Sequence, residues 1–112
     1  MNRIDRSTER YRPAGQLLAR IKTTDAEVVN LSLSGALIHT KQPVPPSAAR
    51  ELRLFAGPEI KIPVRIVSCK LLPGTGPLYE VALEFTAMDG STRADLARIL
   101  QHSTPVATQL PT

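Results

Sequence analysis

The stretch NLSLSG at residues 30–35 decides the fold of this chain, because it lies between two apolar runs that each have the character of a β-strand. Val28 and Val29 precede it, and residues 36–38 (ALI) follow it. An apolar run, a short polar interval and a second apolar run predict two strands joined by a turn. Gly35 marks a position where the backbone needs either a positive φ angle or room for a ligand to approach closely.

Side chains alternate between the two faces of a strand, so the stretch divides into an apolar set and a polar set. This alternation places Val29, Leu31 and Leu33 in the core. The asparagine and two serines between and after them then lie on the opposite face. The sequence therefore predicts a short row of hydrogen-bonding groups on the surface of a sheet.

Six segments alternate apolar and polar residues and are separated by short turns. This pattern predicts an antiparallel all-β sheet that closes into a barrel or a sandwich. After the last strand, Leu96, Ile99 and Leu100 recur at helical spacing behind a capping signature of Thr92 and Asp95, which predicts a C-terminal helix packed on the sheet. The strands are predicted at residues 16–23, 27–33, 36–40, 51–55, 60–72 and 79–85.

Two local features are predicted within this pattern. Residues 24–25 (TD) have turn composition and are expected to join the first two strands. After Val67 the alternation changes phase, because Cys69 and Leu71 take up the apolar positions. A change of phase inside one strand predicts a β-bulge.

The composition excludes several classes of protein. A chain of 112 residues with 42% hydrophobic and 21% charged residues is expected to form one globular domain. No apolar run approaches the roughly 20 residues that span a bilayer, and the first residues are too polar for a signal peptide. Together with a single cysteine, Cys69, these features predict a cytoplasmic location without membrane insertion.

The sequence also offers no set of side chains for catalysis or for metal binding. His39 and His102 are separated by most of the chain, and Cys69 has no second cysteine beside it. A metal site needs three or four suitable ligands, and no serine lies in a nucleophile elbow. We therefore expect neither an enzyme nor a metal protein, and Cys69 is expected to lie in or near the core.

Arginines are concentrated at the N-terminus of this basic chain, which has a net charge of +4. Four of them, Arg3, Arg6, Arg10 and Arg12, fall within the first twelve residues. No clean period is present there, so residues 1–14 are predicted to be a mobile arm, residues 15–102 the folded domain and residues 103–112 a disordered tail. Arginine can contact a phosphate or a guanine edge bidentately and can stack on a base.

The arm and the polar row together fit a guanine nucleotide that carries phosphates. The Asn30 side-chain oxygen can accept a hydrogen bond from a guanine N–H, and the Ser32 hydroxyl can donate to a ring nitrogen or a phosphate. Gly35 would let the ligand approach the backbone. A second interpretation stays open, in which the arginines are a solvated tail and the polar residues satisfy only their own turn.

Long nucleic acids are not expected as partners. Single-stranded DNA and RNA are bound on exposed aromatic rings, and this chain has only two tyrosines and two phenylalanines. Tyr79 and Phe85 share the inward face of the last predicted strand, which leaves Tyr11 as the ring expected at the surface. We therefore expect no DNA or RNA binding.

Two motifs in this order resemble the PilZ domain family, bacterial receptors for cyclic di-GMP. RSTER at residues 6–10 resembles the family's Arg-x-x-x-Arg motif, and NLSLSG at residues 30–35 resembles its Asp/Asn-x-Ser-x-x-Gly motif. The resemblance implies a six-stranded antiparallel β-barrel with a C-terminal helix. It also implies that cyclic di-GMP is the ligand and that no other cofactor is needed.

The resemblance implies the ligand contacts residue by residue. It assigns Arg6 and Arg10 to the guanines and phosphates, and Asn30, Ser32 and Gly35 to the guanine base. By distance to the first strand, Arg12 holds the position of the second arginine instead, so two registers of the arm stay open. On ligand binding the arm is expected to become ordered and to signal to an effector protein, for example a component of the motility or pilus machinery. An alternative is a PilZ-like interaction module that does not bind nucleotide.

Overall fold

β-Strands make up most of the regular secondary structure in the computed structural model of this chain, which describes residues 9–74 and 76–106. One α-helix follows the longer strands. The elements in chain order are β1 (Tyr11–Arg12), β2 (Leu18–Ile21), β3 (Thr24–Leu31), β4 (Gly35–Thr40), β5 (Ser47–Phe55), β6 (Glu59–Leu71), β7 (Tyr79–Phe85), α1 (Gly90–Gln101) and β8 (Thr104–Pro105).

Six of the strands close into a barrel. They are hydrogen-bonded in the order β2-β5-β6-β7-β4-β3, every pairing is antiparallel, and β2 also pairs with β3 to complete the ring. Closure leaves these six strands without an open sheet edge along their paired lengths. The prediction of an all-β, six-stranded antiparallel β-barrel with a C-terminal helix is confirmed, and the choice between barrel and sandwich is decided.

The barrel interior is filled by every second residue of its strands. In β6 the residues Ile60, Ile62, Val64 and Ile66 are buried and the residues between them are exposed. The predicted bulge after Val67 is confirmed, because the β6–β7 register shifts between Ile66 and Ser68. Elsewhere in the described part of the chain the buried apolar residues are Leu17, Ala19, Ile21, Ala26, Val28, Leu31, Ala36, Ile38, Val44, Leu52, Leu54, Val81, Leu83, Leu96 and Leu100.

The helix α1 covers one side of this core. Leu96 is fully buried, Leu100 is nearly so, and the helix contacts β6. The N-cap is Asp89 rather than the predicted Thr92, and Asp89 Oδ1 accepts a hydrogen bond from the Thr92 backbone N–H at 2.7 Å. This hydrogen bond holds the pKa of Asp89 below its ordinary value. The helix begins earlier than predicted because Asp89 is also a favourable cap.

Two segments that were predicted to be unstructured are paired with each other. Tyr11 and Arg12, from the predicted arm at residues 1–14, pair with Pro105 and Thr104, from the predicted disordered tail at residues 103–112. Tyr11 also pairs with Leu31 at the end of β3, beyond the residues that β2 covers. The prediction fails here because these strands satisfy backbone groups across the chain and are too short to show a period. Residues 1–8 and 107–112 lie outside the described residues.

The turn between β2 and β3 lies two residues earlier than predicted. Lys22 and Thr23 form it, whereas Thr24 and Asp25 belong to β3. Asp25 is opposite Arg20 in the pairing of β2 with β3, and the two side chains form an ion pair at 2.9 Å. A cross-strand pair of opposite charge favours the strand conformation for Asp25. Lys22 then takes a φ of 55° in the left-handed region.

No helix in the described ranges 9–74 and 76–106 combines the length and the apolar character needed to cross a membrane.

Replacement of Lys22 by glycine is expected to stabilise the protein by about 1 kcal/mol, because a residue with a Cβ atom is disfavoured at positive φ and glycine is not. The measurement is the free energy of unfolding in urea. Thr23→Gly is the matched control: Thr23 is also exposed in the same turn but its φ is not in the positive range, so that variant should lose stability. A loss in Lys22→Gly would contradict the prediction.

Candidate functional site

The stretch at residues 30–35 forms a tight turn between β3 and β4 rather than a continuous strand. β3 ends at Leu31 and β4 begins at Gly35. A bulge also shifts the β3–β4 register between Val28 and Asn30. Val28 and Leu31 are therefore both buried, and Val29 is only half-buried. The predicted alternation of an apolar and a polar face through this stretch is wrong, since the bulge and the turn each break the period of two.

Ser32 is the buried centre of the turn and does not lie on an exposed polar row. Its side chain has 0% exposure. Its Oγ accepts hydrogen bonds from the backbone N–H groups of Ser34 at 3.0 Å and Gly35 at 3.1 Å. The Ser32 N–H donates to the Gly35 carbonyl at 2.9 Å. One hydroxyl thus satisfies two backbone donors that the tight turn would otherwise leave without acceptors.

Gly35 lets two strands approach each other. A Cβ atom built at this position would lie 2.3 Å from the backbone oxygen of Leu83 on β7. Its φ is not in the positive range, so the first of the two predicted reasons for glycine does not apply, and the group that approaches closely is the backbone of β7. The Phe85 N–H donates to the Ser34 carbonyl at 2.9 Å, which joins the same turn to the end of β7. Close packing of β4 on β7 is therefore enough to require glycine here.

Asn30 and Arg10 bring the two sequence motifs together. Arg10 Nη1 donates a hydrogen bond to Asn30 Oδ1 at 3.2 Å, although the two residues are 20 positions apart. Arg10 is exposed and Asn30 is half-buried at the barrel surface. The contact places a guanidinium and an amide at one point beside the turn. Both groups can contact a polar ligand from there.

The other arginines of the arm have different positions. Arg12 is exposed on β1, where its backbone pairs with Thr104 of β8. Arg6 lies outside the described residues. Tyr11, predicted to be an exposed ring, is half-buried and packs against the core. Residues 10 and 12 flank this anchored tyrosine, so their side chains lie on the face of β1 that points away from the core.

An ion pair that the sequence did not indicate lies beside the turn. Glu84 on β7 is the cross-strand partner of Gly35, and Arg65 on β6 is the cross-strand partner of Glu84. Arg65 donates to Glu84 Oε1 from Nε at 3.0 Å and from Nη2 at 2.5 Å. Only the strand register could have revealed this pair, since Arg65 and Glu84 are 19 positions apart.

A second group of polar side chains lies away from this turn. A groove of about 570 Å³ lies at the opposite end of β3 and is lined by Leu18, Glu27, His39 and Lys41 among others. His39 Nε2 is 3.4 Å from Glu80 Oε2 in that region. Within residues 9–74 and 76–106, no three histidine, cysteine or acidic side chains converge on a point where a metal ion could bind.

The family model of the PilZ domain matches residues 4–102. The chain belongs to the PilZ domain family. The match spans the arm, the barrel and the helix, so the family predicted from the two motifs is confirmed. PilZ domains are generally cyclic di-GMP-binding modules and are typically receptors without enzymatic activity. A search of curated proteins found no match.

Replacement of Ser32 by alanine is expected to destabilise the PilZ barrel by about 2 kcal/mol or more, because two backbone N–H groups lose their acceptor in a buried position. Ser34→Ala is the matched control, since the Ser34 hydroxyl contacts the Ser32 hydroxyl at 3.1 Å and loss of this contact should cost about 0.5 kcal/mol or less. Urea denaturation measures both. Equal stability of the two variants would contradict the role given to Ser32.

Proposed function

We propose that this PilZ domain binds cyclic di-GMP at the surface formed by Arg10, Arg12 and Asn30 and passes the signal to a partner protein. The observation that carries the proposal is the 3.2 Å hydrogen bond from Arg10 Nη1 to Asn30 Oδ1. It joins one residue of each sequence motif at the barrel surface. A ligand that binds through both a cation and a neutral hydrogen-bond acceptor can therefore contact both groups at that point.

The chemistry of cyclic di-GMP suits these side chains. Each phosphate is an anion that a guanidinium can contact bidentately, and the O6 and N7 atoms of guanine accept from arginine in the same way. The Asn30 amide oxygen accepts from a guanine N–H once Arg10 moves onto the ligand. Arg12, on the same face of β1, is proposed as a second cation, and Arg6 as a further one outside the described residues.

Ser32 and Gly35 are proposed to act on the ligand through the shape of the turn. The Ser32 hydroxyl is buried and engaged with two backbone N–H groups, and Gly35 is in close contact with β7. Both residues hold Asn30 at the start of a rigid turn. A rigid support reduces the entropy that ligand binding would otherwise cost.

The proposed signal begins at the residues around Arg10. The Arg10 carbonyl accepts from the Val106 N–H at 3.0 Å, so the arm is joined to the segment after α1. When the Arg10 side chain moves from Asn30 to the ligand, the arm surface beside the segment after α1 changes. A change in the order of the arm is a recognised way to expose or hide a binding surface. The proposed recipient is an effector protein.

Isothermal titration calorimetry with cyclic di-GMP tests the proposal. Arg10→Ala and Asn30→Ala are each expected to weaken binding about tenfold or more, because each removes a hydrogen-bonding group that contacts the ligand. Arg12→Ala, measured in parallel, separates the two registers of the arm. A larger effect of Arg12→Ala than of Arg10→Ala would assign the second motif arginine to Arg12.

The matched control is Arg20→Ala. Like Arg10, Arg20 donates a hydrogen bond to a polar side chain, here that of Asp25, but this pair lies at the opposite end of β3 from Asn30. Its removal changes the net charge as much as removal of Arg10 does and should leave binding unchanged. Absence of measurable heat from the wild-type protein at high micromolar ligand would contradict cyclic di-GMP binding.

A second candidate function is a protein-interaction module that does not bind nucleotide. The observation that favours it is that the turn itself already accounts for Ser32 and Gly35, so the motif can persist for folding alone. This candidate predicts that an effector captured from a bacterial lysate binds equally with and without cyclic di-GMP. It also predicts equal capture by the Arg10→Ala variant. Capture that depends on the nucleotide would contradict it.

A further inference from the structure

Glu84 and Arg65 lie on the same outer surface of the barrel as Asn30. On β7, Val81 and Leu83 are buried and Glu84 is exposed. On β4, Gly35 pairs with Glu84 of β7. Leu37, two residues further along β4, pairs with Asn30 of β3. Two strand spacings of about 4.8 Å each, from β3 across β4 to β7, and two residues along β7 give about 12 Å between the Cα atoms of Asn30 and Glu84.

This separation fits two parts of one dinucleotide. It is wider than a single purine ring system, so Asn30 and Glu84 would contact different parts of the ligand. Between them on β4 and β7 lie Leu37 and Ala82, which form the neighbouring cross-strand pair. Neither side chain carries a charge, and both are half-buried. The surface between the two polar groups is therefore apolar, and a base can pack against it.

The carboxylate of Glu84 has the chemistry that one edge of guanine requires. The Watson–Crick edge of guanine presents two adjacent donors, the N1–H and the exocyclic amino group. An ionised carboxylate is an acceptor with two oxygens, whereas the Asn30 amide has one acceptor oxygen, which already accepts from Arg10. Both bonds from Arg65 go to Glu84 Oε1, and no hydrogen bond from within residues 9–74 and 76–106 reaches Oε2.

We propose that Glu84 is a second guanine-reading residue of this PilZ site and that Arg65 is a positioning residue that holds its carboxylate. The inference rests on the proposed function, since it assigns a base contact for the same ligand. Glu84 accepts from N1–H and the amino group of a guanine. Arg65 fixes the carboxylate through its two bonds to Oε1 and compensates its charge when the ligand covers it.

Calorimetry with cyclic di-GMP and with its inosine counterpart tests this proposal. The inosine compound lacks the exocyclic amino group, so the wild-type protein should prefer cyclic di-GMP. Glu84→Gln is expected to bind cyclic di-GMP about tenfold more weakly and to lose most of this preference, because the amide replaces one acceptor with a donor. Arg65→Ala should also reduce the preference, and Arg65→Lys should retain more of it than Arg65→Ala.

The matched control is Glu80→Gln. Glu80 is on the same strand and face, but its partners are His39 and Lys70, away from the turn. That variant should keep both affinity and preference. The Glu84 and Arg65 side chains are 52% and 55% exposed, so their replacement should leave the thermal midpoint nearly unchanged and binding can be compared between folded proteins.

The outcomes separate this inference from the function on which it rests. If the wild-type protein binds cyclic di-GMP and Glu84→Gln keeps its affinity and its preference over the inosine compound, only the role of Glu84 is overturned. If the wild-type protein binds neither compound, both proposals are overturned. A loss of affinity in Glu84→Gln without any change in preference would also overturn base reading, since it would indicate a general effect on the surface.

Discussion

The hydrogen bonds accepted by the Ser32 hydroxyl are the interaction on which the candidate site depends. A turn of three residues between two barrel strands leaves backbone donors facing the interior, and buried donors without acceptors are costly. Ser32 Oγ accepts from two of them, which fixes the end of β3 and the start of β4. The same turn sets Gly35 against the Leu83 carbonyl and so determines how closely β4 and β7 pack. Asn30, Glu84 and Arg65 take their relative positions from that packing.

Much of the barrel could be predicted because one sheet face is buried along each long strand. In β6 the period of two continues for seven residues, and its change of phase at Val67 revealed a bulge that the structure confirms. The bulge near Val29 could not be found in this way. Both Val28 and Val29 are apolar, so either could be the inward residue until the pairing with β4 is known. Periodicity detects a bulge only where the residues around it differ in polarity.

The parts that could not be predicted depend on partners distant in the sequence. β1 and β8 are two residues each and are strands only because they pair with one another and because β1 also pairs with the end of β3. The turn at Lys22 could not be predicted, because residues 24–25 have turn composition. The ion pair between Arg20 and Asp25, which favours a strand there, depends on a strand pairing that the sequence does not reveal. For the site, the motifs identified Arg10 and Asn30, and the structure places them in contact. Glu84 belongs to no motif and comes beside Gly35 only through strand register.

A motif match alone does not distinguish a ligand-binding PilZ domain from one that keeps only the fold. Ser32 and Gly35 have structural roles that would maintain them whether or not a nucleotide binds. Asn30 and Arg10 differ, because their contact is at the surface, and a surface hydrogen bond contributes little to the stability of a barrel. Selection for folding would maintain neither side chain. The residue types at positions 10 and 30, and the dependence of ligand binding on Glu84, are therefore the features that indicate function. Ser32 and Gly35 indicate only that the turn is kept.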